Sequence, residues 1–486
     1  MINCFIPFLS LPQARQTVRA LGLCDRIKNI YLLATEKIPD EVEGCEMLMI
    51  DSPASTATFR TIALHADTAY TLLYTKYTAF EPGQFAFERL LAIAGDTNAG
   101  MLYADRYLLK NGNSQQAPVI DYQKGSLRDD FDFGSLLFFR SSVLKQAVRA
   151  MDADYRFAGL YDLRLRVSEL AELVHVNEYL YSEVETDIRK SGEKLFDYVD
   201  PKNRAVQIEM EAVCTAYLKR VGGYLAPDFE PVTFDAGGFE QEASVIIPVR
   251  NRIRTIEDAI RSVLAQKTTF RFNLIIVDNH STDGTSEAIG KYTADGRVVH
   301  LVPERSDLGI GGCWNVGVHH PACGKFAVQL DSDDVYSGPD TLQKIVDAFY
   351  EQNCAMVVGT YRMTDFKMNE IPPGIIDHRE WTLENGRNNA LRINGLGAPR
   401  AFYTPVLRRI NLPNTSYGED YALGLRISRT WRIGRIYDVL YLCRRWEDNS
   451  DAALDVVKMN GHNTSKDRIR TWELQARIAL NAHSPK

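Results

Sequence analysis

Phe326-Ala327-Val328-Gln329-Leu330-Asp331-Ser332-Asp333-Asp334 is the stretch that decides how the rest of the chain is read. Five mostly apolar residues suit a buried strand, and the acids begin where the apolar run stops, which places the carboxylates at the strand's carboxyl end. In an open α/β sheet that edge receives ligands. Carboxylates crowded this closely repel one another unless a cation sits among them or water screens them. One reading is a divalent metal carrying a diphosphate, and the other is a solvated acidic turn. The run alone does not separate them; its surroundings do.

Outward from this run, strands alternate with helices. Upstream the pattern predicts strands over 244–248, 272–278 and 298–302, a helix over 255–266, and a glycine-rich approach over 309–318 that leads into a helix. Ser281-Thr282-Asp283-Gly284-Thr285 reads as an N-cap and turn. Downstream come a helix over 340–352, a strand over 355–361, an irregular segment rich in Pro, Gly and Asn over 371–400, and a helix opening near Gly418. The first part of the chain alternates in the same way, with strands over 3–10, 29–34, 100–105 and 134–140 and helices over 11–21 and 161–173. Such alternation implies an α/β fold, a mainly parallel sheet with helices on both faces. From about 186 to 242 the pattern changes to one helix over 203–221, then a stretch punctuated by Gly222-Gly223, Pro227, Pro231 and Gly237-Gly238. The expected domains are 1–200, a connection over 201–242, a second α/β domain over 243–455 and a tail over 456–486, helical and amphipathic at 467–482.

The 486 residues exceed one ordinary core, and the hydrophobic share of 45% with a charged share of 24% is that of a globular protein. A formal net charge of -7 gives no general attraction to nucleic acid or to an anionic membrane, so phosphate binding has to be local. The eight cysteines form no C-x-x-C pair, and no tetrahedral His/Cys set stands out for zinc. The start Met1-Ile2-Asn3-Cys4-Phe5 is unlike a signal peptide and no window reads as a spanning helix, so a cytoplasmic protein is expected, with peripheral contact at the inner face of the membrane left open.

Five blocks now stand in order: Ser244-Val245-Ile246-Ile247-Pro248-Val249-Arg250-Asn251-Arg252; Ile276-Val277-Asp278-Asn279-His280-Ser281-Thr282-Asp283-Gly284-Thr285; Asn315-Val316-Gly317; Leu330-Asp331-Ser332-Asp333-Asp334; and Gly418-Glu419-Asp420-Tyr421. With their spacing they make this half of the chain resemble the family 2 glycosyltransferases, inverting enzymes built on the nucleotide-sugar-binding GT-A fold. The resemblance implies transfer of a sugar, of hexosyl or N-acetylhexosaminyl type, from a nucleotide-diphosphate sugar to a hydroxyl of a glycan or lipid-linked glycan. The setting it implies is cell-surface polysaccharide or glycoconjugate synthesis, with no role for nucleic acid. Nucleotidyltransferases share the architecture but usually open with a glycine-rich basic loop, which Pro248-Val249-Arg250-Asn251 is not. A non-catalytic carbohydrate-binding scaffold is the rival from another class.

Residue by residue, Asp278 closes its strand and suits the ring N–H of uracil, a role the resemblance also gives it; the alternative is a cap for the next turn. Pro248 and Arg250 fall on the nucleotide side, and Arg250 departs from the aromatic residue usual there, which leaves the base open. Asn315 reads equally as a ligand contact or as a packing residue. The resemblance assigns Asp331 to the ribose and metal-water side, Asp333 to a Mn2+ or Mg2+ ion, Asp420 to the general base and Glu419 to its support. It also matches Arg444, in Leu442-Cys443-Arg444-Arg445-Trp446-Glu447-Asp448-Asn449-Ser450, to an arginine that grips the diphosphate. There Cys443 and Trp446 replace an aromatic residue and a histidine.

The first domain resembles the second as a repeat. Ile6-Pro7 pairs with Ile247-Pro248; anchored on Asn29 to Ala34 against Asn273 to Asp278, Ala34 falls opposite Asp278, and anchored on the Leu163 to Ser168 segment, Leu160 falls opposite Asp420 and Val184 opposite Arg444. Asp105 alone is expected near the metal position. The first domain therefore reads as GT-A-like and catalytically blank.

Overall fold

The structure is a computed structural model that describes residues 1–37, 41–110, 112–184, 203–235, 237–446 and 455–483. Two compact units form. One comprises the described residues of Met1–Lys190, Lys202–Gly223 and Asp455–Thr471, and the other those of Tyr224–Leu454 and Trp472–Lys486. The helix read over 203–221 is present as Arg204–Arg220 and belongs with Gly222-Gly223 to the first unit, while the stretch from Tyr224 belongs to the second. The C-terminal helix, Val456–His483, starts well before the predicted 467 and is divided between the units.

The first unit holds β1 (Ile2–Pro7), β2 (Ile27–Ala34), β3 (Glu46–Met49), β4 (Tyr70–Tyr74), β5 (Phe80–Pro82), β6 (Met101–Lys110), β7 (Asn113–Ala117), β8 (Leu136–Arg140) and β9 (Leu173–Val184). They form one sheet in the order β3-β2-β1-β4-β8-β6-β9-β5, with β7 hairpinned onto β6. Strands β1, β2, β3, β4, β6 and β9 run one way; β5, β7 and β8 run the other. Ile2, Cys4 and Ile6 pack into one apolar cluster and Phe5 into another, so β1 is buried on both faces, as its unbroken apolar text requires.

The second unit repeats the order with β10 (Ala243–Val249), β11 (Phe272–Asp278), β12 (Val298–Leu301), β13 (Phe326–Gln329), β14 (Val335–Tyr336), β15 (Met356–Thr364), β16 (Glu370–Ile376), β17 (Arg400–Tyr403) and β18 (Ile433–Arg444). Its sheet runs β12-β11-β10-β13-β17-β15-β18-β14, with β16 on β15. Strand β16 lies inside the segment read as irregular: Pro372-Pro373 hid it, and it survives as an outer strand paired only on one side.

The ladders fix which residues of the two units are equivalent. Pro7 pairs with Leu33 and Pro248 with Val277, so Ala34 stands where Asp278 does. Leu109 pairs with Val184 and Thr364 with Arg444, at the same step from Met101 and Met356, which puts Val184 in the place of Arg444. The helices Gly159–Leu170 and Glu419–Thr430 set Leu160 at the position of Asp420. Asp105 is a correction. It lies on β6, whereas Phe5–Leu73 matches Ile246–Gln329 and carries Thr75 onto Asp331 and Tyr77 onto Asp333. None of these first-unit residues is a carboxylate.

Asp105 instead takes part in a local ion network. Its Oδ1 lies 2.9 Å from His175 Nε2, and Asp121 Oδ1 lies 2.8 Å from His175 Nδ1. An imidazole faced by carboxylates on both nitrogens satisfies them only as the cation. Burial by itself would lower the His175 pKa, but the hydrogen bonds and charges of Asp105 and Asp121 outweigh it and raise the value above the ordinary 6.5. A raised folded-state value stabilises the fold fully below 6.5, and that contribution fades as pH climbs through the raised value. The stability advantage of wild type over His175→Gln, measured by urea denaturation, should therefore be largest near pH 6 and shrink toward pH 9. An advantage that grows with pH would contradict the protonated bridge.

Candidate active site

The acidic run stands at the carboxyl end of β13, as its text requires. Gln329 closes the strand and faces two ways: its Nε2 donates to Asp331 Oδ1 at 3.0 Å and its Oε1 accepts from the Arg400 backbone N–H at 3.1 Å. The Asp331 N–H donates to the Tyr441 hydroxyl at 3.0 Å. Burial raises the Asp331 carboxyl above its ordinary value, and burial together with the charges of Asp333 and Asp331 raises Asp334 much further. Asp334 accepts from the Arg444 backbone N–H at 2.7 Å. Asp333 keeps some surface, its side chain 14% exposed, and its Oδ2 accepts from the indole N–H of Trp446 at 3.2 Å.

The second acidic pair arrives on the helix Glu419–Thr430. Gly418 precedes it at φ 79, a left-handed conformation suited to glycine. Asp420 Oδ2 is paired with Arg400 Nη1 at 2.5 Å, and Asp420 Oδ1 accepts from the Tyr421 N–H at 2.7 Å. Burial, the charge of Asp420 and that of Asp331 push Glu419 up to about 8, outweighing Arg400. Its buried Oε2 has no hydrogen-bond partner among the described residues. Arg400, the first residue of β17, thus faces Asp420, Asp331 and Glu419 together. Nothing in the linear text marks it, because its partners lie at distant positions.

Three expected ligand contacts have other partners. Asp278 has no exposed surface; its Oδ1 accepts from the Ser281 N–H at 3.0 Å and its Oδ2 from the Ser286 hydroxyl, with His300 Nε2 at 3.5 Å. These bonds overcome burial and hold its pKa below the ordinary value. It therefore acts as the cap of the following turn rather than as an open base reader. The neighbouring Asn279 is the residue the sequence reading missed: its Nδ2 donates to the Leu308 carbonyl at 2.8 Å while its buried Oδ1 has no partner among the described residues. Asn315 grips the backbone of Leu412, donating to its carbonyl at 2.8 Å and accepting from its N–H at 2.9 Å. The glycines beside it serve the same contact, since a Cβ on Gly311 would fall 2.0 Å from the Pro413 carbonyl oxygen. The close approach they permit is to the 412–415 loop that leads into Glu419, not to a ligand.

Arg444 is the third. Its side chain is 1% exposed, its Nε donates to the Asp333 carbonyl at 2.5 Å and its Nη1 to Asp258 at 2.8 Å. It braces the acidic turn through the Asp333 carbonyl from a buried position. Pro248 is half-buried and Arg250 exposed on the turn after β10, while Glu447 to Ser450 of the last block lie outside the described residues. Of the polar residues over 371–400, Asn388 is bound to both backbone groups of Leu225 and Asn389 accepts from Arg392, so neither faces an acceptor. A cleft of about 680 Å³ lined by Gln266, Lys267, Arg271 and Arg297 opens at the amino ends of β10 to β12 and contains none of these acids.

The family model for glycosyl transferase family 2 matches residues 244–409. That match takes in about a third of the chain, all of it in the second unit. The family 2 match ends before Glu419, so the base candidate and Arg444 rest on the geometry above. Among curated relatives, an uncharacterized glycosyltransferase of Rickettsia felis is 30% identical over 200 residues, 40% of this chain and 32% of that protein. The putative teichuronic acid biosynthesis glycosyltransferase TuaG of Bacillus subtilis is 33% identical over 120 residues, 25% of this chain and 46% of TuaG. The chain thus spans about a third and under a half of these relatives. Among solved structures, S. aureus TarS 1-349 in complex with UDP-GlcNAc shows 22% identity over 49% of this chain and 72% of that chain, with a TM-score of 0.38, too low to carry any inference.

The bracing role of Arg444 sets its expected phenotype. A charged hydrogen bond contributes about 1.5–3 kcal/mol, so Arg444→Gln should lower the unfolding free energy by about that amount in urea titration. Arg252→Gln, on a partly exposed side chain nearby, should change it by under about 0.5 kcal/mol. Equal stability of wild type and Arg444→Gln would show that the turn stands without it.

Proposed function

We propose that the second unit of this chain transfers a sugar from a nucleotide-diphosphate sugar, UDP-linked in the first instance, to a hydroxyl of a glycan or lipid-linked glycan, with inversion at the anomeric carbon. The supporting observation is that Asp331, at a strand end two residues before Asp333, and Glu419 and Asp420, at a helix start almost ninety residues later, converge on Arg400 at one sheet edge. One relative, TuaG, is named for teichuronic acid biosynthesis, which favours a cell-surface glycan as product. No described helix is long and apolar enough to cross a membrane, so the acceptor is met in water or at a membrane surface.

Asn279 Oδ1, an unpaired acceptor beside the capped Asp278, suits a ring N–H of the base. Asp333 fits a hard cation, because Mn2+ or Mg2+ takes one or two carboxylates and completes its shell with phosphate and water; Trp446, in the histidine's place, offers no ligand atom. Such an ion supplies positive charge to the departing diphosphate. Asp420 takes the proton of the acceptor hydroxyl as that oxygen bonds to the anomeric carbon and the bond to the diphosphate oxygen breaks on the opposite face. Arg400 holds the Asp420 carboxylate in line for this. Glu419, its pKa pushed up to about 8, carries a proton at neutral pH and so adds no second negative charge beside the base.

General-base assistance is worth about 10² to 10⁴ in rate. Asp420→Asn should lose about that factor in turnover while calorimetric UDP affinity stays near wild type; Asp333→Ala should lose both. A scan of nucleotide sugars for slow hydrolysis identifies the donor. Near-normal turnover in Asp420→Asn, or a product with retained anomeric configuration, would move the base elsewhere or rule out a single displacement.

A further inference from the structure

A diphosphate carries charge that has to meet cations with N–H donors directed at its oxygens. The arginine that the sequence offers for this, Arg444, is buried and bonded to the Asp333 carbonyl and to Asp258. We infer that the diphosphate of the donor is held instead by Arg252 and Arg254, seated on Trp446 beside Asp333. This rests on the nucleotide-diphosphate reading given above.

Three contacts place the group. The guanidinium of Arg254 lies 4.8 Å from the ring centroid of Trp446 and that of Arg252 lies 5.8 Å from it. Arg252 Nε is 3.9 Å from Asp333 Oδ2, the same oxygen that accepts from the Trp446 indole at 3.2 Å. Trp446 is itself held edge-on by Phe366, ring centroids 5.4 Å apart at 76°. A guanidinium over an aromatic face loses little of its hydration and keeps its N–H fork at the rim, where it can meet two phosphate oxygens at once. The turn after β10 that carries both arginines is tied to the nucleotide side: the Arg252 N–H donates to Thr285 Oγ1 at 2.8 Å and the Asn251 N–H to Ser281 Oγ at 2.9 Å, in the segment that Asp278 caps. Base side and phosphate side are thus joined through one short stretch of backbone.

The substitution of tryptophan at position 446 then has a physical sense. An indole cannot ligate a metal, but it can seat cations, so this site exchanges a metal ligand for a platform under two arginines. Diphosphate binding consequently does not depend on a metal alone. The arginines hold the two phosphates when divalent ions are removed, and a metal at Asp333 strengthens what they already bind.

The test compares UDP with UMP by calorimetry, with Mn2+ and again in EDTA, for the full-length wild type, Arg252→Gln/Arg254→Gln and Trp446→Leu, with melting curves to verify folding. Wild type should prefer UDP over UMP by about ten-fold or more in EDTA, the effect of one charged hydrogen bond. The double variant should lose that preference, its UDP affinity falling further than its UMP affinity, and Trp446→Leu should lose part of it. If the double variant unfolds, the same ratio is read in Arg254→Gln alone. Wild type that binds UDP with Mn2+ but not at all in EDTA, or variants that keep the ratio, would overturn this inference and leave the donor reading standing. Wild type that binds neither nucleotide under either condition would overturn both.

Discussion

Like charges brought to one place in a protein interior are the constraint on which the second unit depends. Asp331, Asp333, Asp334, Glu419 and Asp420 share one sheet edge, and an unscreened set of that size would push the elements carrying it apart. The structure meets this by two means. Arginines enter from strands that are distant in sequence, Arg400 from β17 against Asp420 and Arg444 from β18 against the acidic turn. Burial also raises the carboxyls of Asp334 and Glu419 above their ordinary values, which favours their neutral forms and eases the crowding of charge. What stays charged is what a donor and an acceptor can use.

The same constraint explains why so many expected ligand contacts proved to be structural. An edge that must hold its acids in place needs stiff surroundings, and Asp278, Asn315 and Arg444 provide them through hydrogen bonds to neighbouring turns. Gly311 and Gly312 work in this way too, since their missing side chains let the 412–415 loop lie against the helix that follows β12. In the proposed reaction the chemistry falls to groups with surface or with an unpaired atom: Asp333, Asp420, Asn279 Oδ1 and the arginines on Trp446.

The first unit shows the fold without the constraint. Its strand order is the same, yet Thr75, Tyr77, Ala34, Leu160 and Val184 stand where the second unit has Asp331, Asp333, Asp278, Asp420 and Arg444. At that edge its buried Glu183 is neutralised by Lys76 and Arg106, and a separate bridge joins Asp105, His175 and Asp121. An α/β scaffold of this kind stands on its apolar strands, and the acidic edge is an addition to it.

Local pattern by itself determined the strands and helices of both units, the repeat between them, and the positions where acids leave the core. Apolar runs of four to eight residues and short caps are readable from neighbours alone, and the equivalence of Ala34 with Asp278 followed from them. The Pro-interrupted β16 escaped because a strand paired on one side tolerates what a central strand does not. Which acid faces ligand and which is sealed was decided only by the tertiary structure, because hydrogen-bond partners such as Arg400 for Asp420 or Leu412 for Asn315 lie far along the chain and leave no trace in the local text. Burial sets both the charge of a carboxyl group and its reach, and burial belongs to the folded chain.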